Sequence, residues 1–313
     1  MSVRVEKAGL LTTVQDLGRP GYVADGFSVS GAMDRRAAIT ANRLVGNLDG
    51  AAVLEMTLYG ATLTALDRTL ACLSGGDFDA DLNGRPVRPD RSFALMPGDV
   101  LRIGRCTAGC RGYLALRGGI DVPPAMGSRS TNLKCRIGGF GGRKLAPGDI
   151  LPVFPAPWGE RDEGRCFTPP RYFGDSVCLR AVPGPQAERF KGLPESTFFS
   201  SEYKVLPQSD RMGVRLSGAK IEAEGGSDII SDGIVPGCVQ VPRDGRPIVL
   251  AADCQTTGGY AKIAAVITAD LPELGQLRPG SAVRFEPVSV EEAQAILRAD
   301  MKNYPRKAGG GRG

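Results

Sequence analysis

Residues 95–103 read "LMPGDVLRI", and the same design returns as "LAPGDILPV" at 145–153 and "LRPGSAVRF" at 277–285. In each, Pro-Gly prescribes a turn: proline holds φ near about −65° and glycine tolerates positive φ. Apolar residues then alternate, as in a half-buried strand. Units of this kind mark hairpins or barrel corners, so their recurrence predicts an antiparallel, barrel-rich protein. Working outward, "GYLALRGGI" (112–120) and "RPIVLAAD" (246–253) continue the strand pattern. The 43 glycines and 23 prolines, with only 6% aromatic residues, suit short strands and tight turns better than a helical bundle.

Few helices are expected. In "SGAMDRRAAITANRLVGN" (30–47), Ala37, Ala38, Ala41, Leu44 and Val45 share one face, and Arg35, Arg36 and Arg43 lie off it. Ser28 or Ser30 is a candidate N-cap there. "SVEEAQAILRADM" (289–301) opens with Ser289 and Glu292 in capping-box spacing. A short third helix is expected from Pro185. Between 154 and 175, "FPAPWGERDEGRCFTPPRYFGD" breaks all periodicity. The expected organisation is therefore an N-terminal β-barrel lobe over 1–155, a crossing at 156–175, a second lobe over 176–300, and a frayed basic tail at 301–313. Trp158, in the crossing, is expected to be packed rather than to hold a ligand.

Composition narrows the chemistry. The chain has no histidine, which excludes Ser-His-Asp and Cys-His schemes and His-ligated metals. Cys106 and Cys110 form a lone C-x-x-x-C pair without further ligands in spacing, so no metal site is expected. The eight cysteines, scattered through a long chain, read as free thiols. Glu6 and Lys7 stand where the apolar part of an export signal would lie, so a cytoplasmic location is expected. No apolar run reaches the roughly 20 residues of a membrane span. A net charge of +5 without a basic, aromatic-interleaved stripe gives no support to nucleic-acid binding. Neither G-x-x-x-x-G-K-S/T nor a strand-coupled G-x-G-x-x-G occurs, so a simple nucleotide fold is excluded.

Polar stretches rich in glycine interrupt the apolar runs. They are "TTVQDLGRPGY" (12–22), "FSVSGAMD" (27–34), "SDRMGVRLSG" (209–218), and "DCQTTGGY" (253–260) with "GCVQVPRDG" (237–245) upstream. "RGGIDVPPAMGSRST" (117–131) is a weaker fifth, and "GGFGGR" (138–143) resembles a phosphate cradle but reads more simply as a turn. Each stretch alone is explained by turns and caps. Together they carry several amides and hydroxyls that burial would penalise without partners. A shared pocket for a small amide- or urea-like ligand satisfies them: Gln and Thr complement its donors and acceptors, and Arg holds a carboxylate.

These stretches, with "LEMTLYG", "RAVPGPQAERF" and "EEAQAIL" in the same order, resemble the KipA-like family. Its members are also known as the C subunit of 5-oxoprolinase, and they are similar to a region of biotin-dependent urea carboxylases. Two local departures, Gly76 within Gly75-Gly76-Asp77 and Ala261 after Tyr260, remove no polar group. The resemblance implies a mainly β protein with a few helices, two-lobed, with cyclophilin-like antiparallel β-barrels. It implies two partners: a KipI-like protein, which is the B component of 5-oxoprolinase, and the A component. The implied role is to open 5-oxo-L-proline to L-glutamate with ATP as co-substrate. Alternatives are carboxyl transfer with biotin, or regulation through a KipI-like kinase inhibitor.

On this reading Arg211 binds an anion, Gln255 with Thr256 and Thr257 contacts the lactam or ureido edge, and Asp210 or Asp253 handles protons. Gln15, Asp16, Arg19, Ser30, Met212, Gln240, Gly258, Gly259 and Tyr260 complete the expected substrate-binding set. The octapeptide is expected to line the pocket, facing "SDRMG" and "VQDLGR".

Overall fold

The structure is a computed structural model that describes residues 1–170, 172–190, 197–300, 302, 304 and 305. The chain divides into two compact units. Met1–Arg19, Ser30–Arg171 and Asn303–Gly313 form the first, and Pro20–Val29 with Tyr172–Lys302 form the second. The division cuts the expected 156–175 crossing after residue 171 and lends residues 20–29 to the second unit. The expected frayed tail at 301–313 lies outside the described residues except for Lys302, Tyr304 and Pro305.

The first unit is one nine-stranded sheet. Its strands are β1 (Ser2–Lys7), β2 (Leu11–Gln15), β3 (Val53–Thr57), β4 (Thr62–Ala65), β5 (Thr69–Leu82), β6 (Arg85–Pro86), β7 (Ser92–Leu95), β8 (Val100–Leu116) and β9 (Ile150–Pro152). They run in the order β2-β3-β8-β4-β1-β9, and β5 pairs with β6, β7 and β8. The two-residue side-chain period of a strand partitions this sheet between two cores. Leu54, Met56, Ala71, Leu73, Leu114 and Leu116 enter the main core. Their neighbours Val53, Leu70, Cys72, Tyr113 and Ala115 face the other way and meet Ala37, Ala38, Ala41 and Leu44 of α1 (Arg35–Leu44).

Helix α1 carries the apolar face expected of it, but its cap is Asp34, which accepts from the Ala37 N–H at 2.9 Å. Ser30 instead adopts φ 57° in the approach to the helix. Of the arginines expected off the face, Arg36 and Arg43 are nonetheless buried. Arg43 grips Asp49 through Nε at 2.7 Å and Nη2 at 2.8 Å and donates to the Pro305 carbonyl at 2.9 Å. Trp158 and Phe167 pack beside the helix, with the Arg68 guanidinium 4.2 Å over the indole.

The second unit is a closed barrel, β10-β17-β14-β15-β12-β11-β18. Its strands are β10 (Ser176–Pro183), β11 (Tyr203–Val205), β12 (Gly213–Ser217), β14 (Cys238–Gln240), β15 (Ile248–Leu250), β17 (Lys262–Val266) and β18 (Ala282–Pro287). Strands β13 (Asp228–Gly233) and β16 (Thr257–Tyr260) form a separate two-stranded sheet. The barrel is not purely antiparallel, because β10 and β18 close it in parallel. Its core holds Phe198 of α2 (Thr197–Ser200) stacked on Phe285, with Tyr203 beside them. A short 3-10 turn at Ala187–Arg189 stands where the third helix is expected. Helix α3 (Leu271–Gln276) follows β17. Helix α4 (Val290–Asp300) has both capping-box bonds, Ser289 N–H to Glu292 at 2.8 Å and Glu292 N–H to Ser289 Oγ at 3.1 Å.

The three Pro-Gly units share one geometry and are corners rather than hairpins. Met96 N–H donates to Asp99 Oδ2 at 2.8 Å, and Asp99 N–H returns to the Met96 carbonyl at 3.0 Å. Ala146 and Asp149 repeat the pair at 2.8 and 3.2 Å, and Arg278 and Ser281 at 3.3 and 3.0 Å. In each, the glycine has φ of 90 or 91° and sends its N–H to a carbonyl of another segment, Ala65, Val5 or Val205. Each corner delivers the chain into a barrel or sheet strand: β8, β9 or β18.

Candidate functional site

The expected site residues divide between the units. Gln15, Asp16, Arg19 and Ser30 belong to the first unit and the rest to the second.

In the first unit, Asp16 follows β2 and gathers the segment "GSRST". Its Oδ1 accepts from Ser128 Oγ at 2.7 Å, Ser130 Oγ at 2.5 Å and Gly18 N–H at 2.7 Å. Its Oδ2 accepts from Arg129 N–H at 2.6 Å. A carboxylate has about four lone-pair sites, so this one is filled by its own chain. Arg19 donates to the Ser130 carbonyl, Gln15 Nε2 donates to the Thr131 carbonyl at 3.1 Å, and Asn132 donates to Ser30 Oγ at 3.2 Å. Gln15 Oε1 is buried with no hydrogen-bond partner among the described residues. The "GGFGGR" run passes tightly behind this network. A Cβ at Gly138 would lie 2.2 Å from the Ser130 carbonyl oxygen, and no helix follows it, so the run is packing and not a phosphate cradle. These four expected residues come together as a closed hub.

In the second unit, the octapeptide makes a turn at Ala252–Asp253 and then becomes β16. Asp253 points inward and Gln255, Thr257 and Tyr260 are exposed, while Thr256, Gly258 and Gly259 are half-buried. Asp253 meets Arg211 in a two-pronged ion pair, Nε to Oδ2 at 2.8 Å and Nη2 to Oδ1 at 3.1 Å. The backbone repeats the contact, with Asp253 N–H donating to the Arg211 carbonyl at 2.8 Å and Ala251 N–H to the Met212 carbonyl at 3.0 Å. Ser28 Oγ donates to the Cys254 carbonyl at 2.7 Å. Asp210 is exposed, and its Oδ1 accepts from Met212 N–H at 2.8 Å and Gly213 N–H at 3.2 Å. The "SDRMG" and "DCQTTGGY" motifs therefore do meet, and their meeting point is a buried ion pair.

Beyond Asp253 lies a second polar group, which joins the expected Gln240 and Gln255 to Lys262, a residue outside the expected set. Lys262 opens β17 beside Gln240 of β14, its register partner. Its side chain is only 2% exposed, yet its Nζ donates to Asp232 Oδ2 at 2.5 Å and to the Gly233 carbonyl at 3.1 Å. An ammonium has three N–H bonds, so one has no acceptor among the described residues. Its partner Asp232 is 53% exposed, and its carboxyl is held below the usual range by Lys262 first and the Gly233 N–H second. Gln186 Oε1 accepts from the Lys262 backbone N–H at 3.1 Å.

Gly258 lies beside both Gln240 and Gln255. A Cβ there would come within 2.7 Å of Gln240 Nε2 and 2.4 Å of Ile234 Cδ1, with Gln255 Nε2 at 3.6 Å. A side chain there would collide with Ile234 and Gln240, whereas Gln255 would lie in ordinary contact. The group is thus a cation, a carboxylate and the carboxamides Gln186, Gln240 and Gln255. Lysine in "AKIAAV" is preceded and followed by apolar residues, and that burial of a charge was the signal available in the sequence. The neighbouring Cys254 thiol is a poor nucleophile: burial, with Cys238 and Asp253 nearby, pushes it up to about 12. Among the described residues no cluster of three or more Cys, Asp or Glu is placed to hold a metal ion, and no helix is long and apolar enough to cross a membrane.

A family profile described as "Carboxyltransferase domain, subdomain A and B" matches residues 25–287. The chain is 40% identical over 302 residues to a protein of Escherichia coli named as the C subunit of 5-oxoprolinase, covering 96% of each. It is 38% identical over 286 residues to the protein of the same name from Haemophilus influenzae, covering 91% of each. The crystal structure of K. lactis urea amidolyase superposes with a TM-score of 0.89 at 33% identity over 96% of this chain. The chain spans 19% of that larger polypeptide.

Proposed function

The chain belongs to the carboxyltransferase-domain family of subdomains A and B, and from that premise we propose that it is the C subunit of an ATP-dependent 5-oxoprolinase. It works with A-type and B-type components to open 5-oxo-L-proline to L-glutamate. The observation that carries this reading is the end-to-end match, 96% of each chain, to a protein of that name. The urea amidolyase match covers 19% of that chain, so its reaction draws on much that lies outside the shared region.

The second-unit cluster suits a lactam. A cyclic amide is held cis, so its N–H and C=O lie on one edge, which a glutamine carboxamide matches donor to acceptor. Gln240 and Gln255 supply such groups around Gly258. The lactam is resonance-stabilised and resists water. ATP, as co-substrate, activates it by phosphorylation of the lactam oxygen, which makes the ring carbon a better electrophile. The open N–H of Lys262 then serves either the substrate carboxylate or the negative charge developing on that oxygen. Arg211 is a poorer anion binder than Lys262, since both prongs of its guanidinium are taken by Asp253. Asp232, exposed and held below the usual carboxylate range, keeps the Lys262 ammonium aimed. None of these roles calls for histidine.

Carboxyl transfer to a urea-like nitrogen, with biotin as carrier, is the second reading, favoured by the family's description and by the urea amidolyase likeness. A ureido edge would use the same glutamines. The deciding experiment measures ATP-dependent glutamate release by this chain alone, with a B-type partner, and with A-type and B-type partners together. Activity is expected only in the full mixture and is expected to vanish in Gln255→Ala. A mixture inert toward 5-oxoproline that carboxylates urea would replace this reading with the second. Robust release by the chain alone would remove the need for partners.

A further inference from the structure

Away from that cluster, the first unit carries a cavity of about 530 Å³ with an unusual charge balance. Arg85, Arg88 and Arg91 line it, all are exposed, and none of their guanidiniums has a carboxylate or hydrogen-bond partner among the described residues. Glu163 is the one carboxylate in the lining. The nearby Asp162 is already engaged, 3.6 Å from Arg117 and 4.0 Å from Arg165. Three guanidiniums facing one concavity, with no acid paired to them among the described residues, repel one another. Their convergence therefore favours an anion held among them.

The cavity is built rather than incidental. Its wall is the chain from 87 to 92, tied on one side to the sheet by Val87 N–H to the Ala80 carbonyl at 2.9 Å and Asp90 N–H to the Leu73 carbonyl at 2.8 Å. On the other side it is tied to the proline-rich segment by Ser92 N–H to the Arg165 carbonyl at 2.9 Å, Gly164 N–H to the Ser92 carbonyl at 3.0 Å and Ser92 Oγ to the Asp162 carbonyl at 2.8 Å. The segment that interrupts all sequence periodicity thus has a task, bracing this wall. Side chains of Leu82, Val87 and Phe93 supply an apolar surface between the cations.

We propose that this cavity binds a phosphate-bearing small molecule of nucleotide type, its phosphates on Arg85, Arg88 and Arg91 and its flat body on Val87 and Phe93. Guanidinium forks match phosphate oxygens in pairs and also stack on flat rings. The volume is within the range of about 300–1,000 Å³ usual for small-ligand sites. A bare anion needs no apolar floor, and an apolar ligand needs no arginines. The site stands independently of the reaction proposed for the second unit, because it is a statement about binding alone.

Calorimetric titration of the full-length chain tests it, with ATP, tripolyphosphate, adenosine and a short poly-glutamate peptide as probes. ATP is expected to bind once per chain, more tightly than tripolyphosphate, and with an affinity that falls as salt rises. Adenosine is expected not to bind detectably. Arg88→Ala and Arg91→Ala should each weaken ATP about tenfold, the effect of losing one charge-assisted pair. Arg91→Lys should also weaken it while leaving the melting curve unchanged, since charge is kept and only the fork is lost. Arg215→Ala, an equal loss of charge in the second unit, should leave binding intact. Absence of ATP binding, or binding indifferent to both Arg88→Ala and Arg91→Ala, overturns the site. Equal affinity for tripolyphosphate and ATP overturns its nucleotide character, and tighter binding of the acidic peptide replaces the small molecule with a protein partner.

Discussion

Two ion pairs in the second unit look alike in charge and differ in what surrounds them. Arg211 and Asp253 are 5% and 6% exposed, pair through two prongs, and are braced by backbone bonds between the same residues. Lys262 is 2% exposed but its partner Asp232 is 53% exposed, and one ammonium N–H is left over among the described residues. A closed pair has no capacity for a ligand, and its value lies in holding two loops together. An open pair keeps a buried, oriented charge next to solvent, where an incoming group can meet it. On the proposed function, Arg211 holds two loops together and Lys262 meets the ligand.

The largest expected effect tests the closed pair. Arg211→Ala leaves a buried carboxylate without its cation, a change that costs about 3–5 kcal/mol. Denaturant unfolding should show that loss. A variant as stable as the parent but catalytically dead would reverse the assignment of the two pairs. Lys262→Met comes next, keeping the stem and removing the charge. Turnover of the reconstituted complex should fall at least about 100-fold, roughly 3 kcal/mol of barrel-side stabilisation of the reacting group. Stability should move much less than in Arg211→Ala. Equal losses of stability in both variants would erase the distinction.

Asp90 sharpens the comparison as a half-buried carboxylate with no cation partner among the described residues. Burial raises it to about 6, the Ser74 hydroxyl opposes the rise, and Asp34 and Asp77 add to it. The folded value lies above the unfolded one, near about 4. The stability this group contributes is therefore full below pH about 4 and is lost as pH rises through about 6. Asp90→Asn should flatten that part of the stability profile and raise stability at pH 7.5 by about 2 kcal/mol. An unchanged profile would mean that Asp90 is better compensated than its surroundings indicate.

The smallest effects belong to the corners. Asp99→Ala and Ser281→Ala each remove the side-chain acceptor of an otherwise identical turn. Ser281→Ala should cost about 1 kcal/mol, the worth of one such hydrogen bond, and Asp99→Ala somewhat more, because Asp99 Oδ1 also accepts from Asn83 Nδ2 at 2.7 Å. A much larger loss for Ser281, which is buried, would show that enclosure rather than the bond itself sets the value of the corner.

Much of the fold was legible because its cues are local. Proline and glycine force the corners at 95–103, 145–153 and 277–285, and the same bonds recur in all three. The helices at 35–44 and 290–300 follow from apolar spacing and caps. The cap itself was misplaced, because Ser30, Asp34 and the turn between them offer the same chemistry in sequence. Arg36 and Arg43 lie off the apolar face as the spacing predicts, but nothing local tells that Asp49 and the Pro305 carbonyl wait for Arg43.

By itself, the sequence determined that the protein is β-rich with Pro-Gly corners, that its chemistry does without histidine, and which loops carry clustered amides and acids. Those are matters of residue type and near-neighbour spacing. Only the tertiary structure decided what each polar residue does. Asp16 is filled by donors from residues 128–130, Arg211 by an acid 42 positions away, and Lys262 by an aspartate 30 positions before it. Whether a buried charge is spent or available depends on partners that converge only when the barrel closes. Closure is a property of strand pairing across the chain, and no short window of residues contains it.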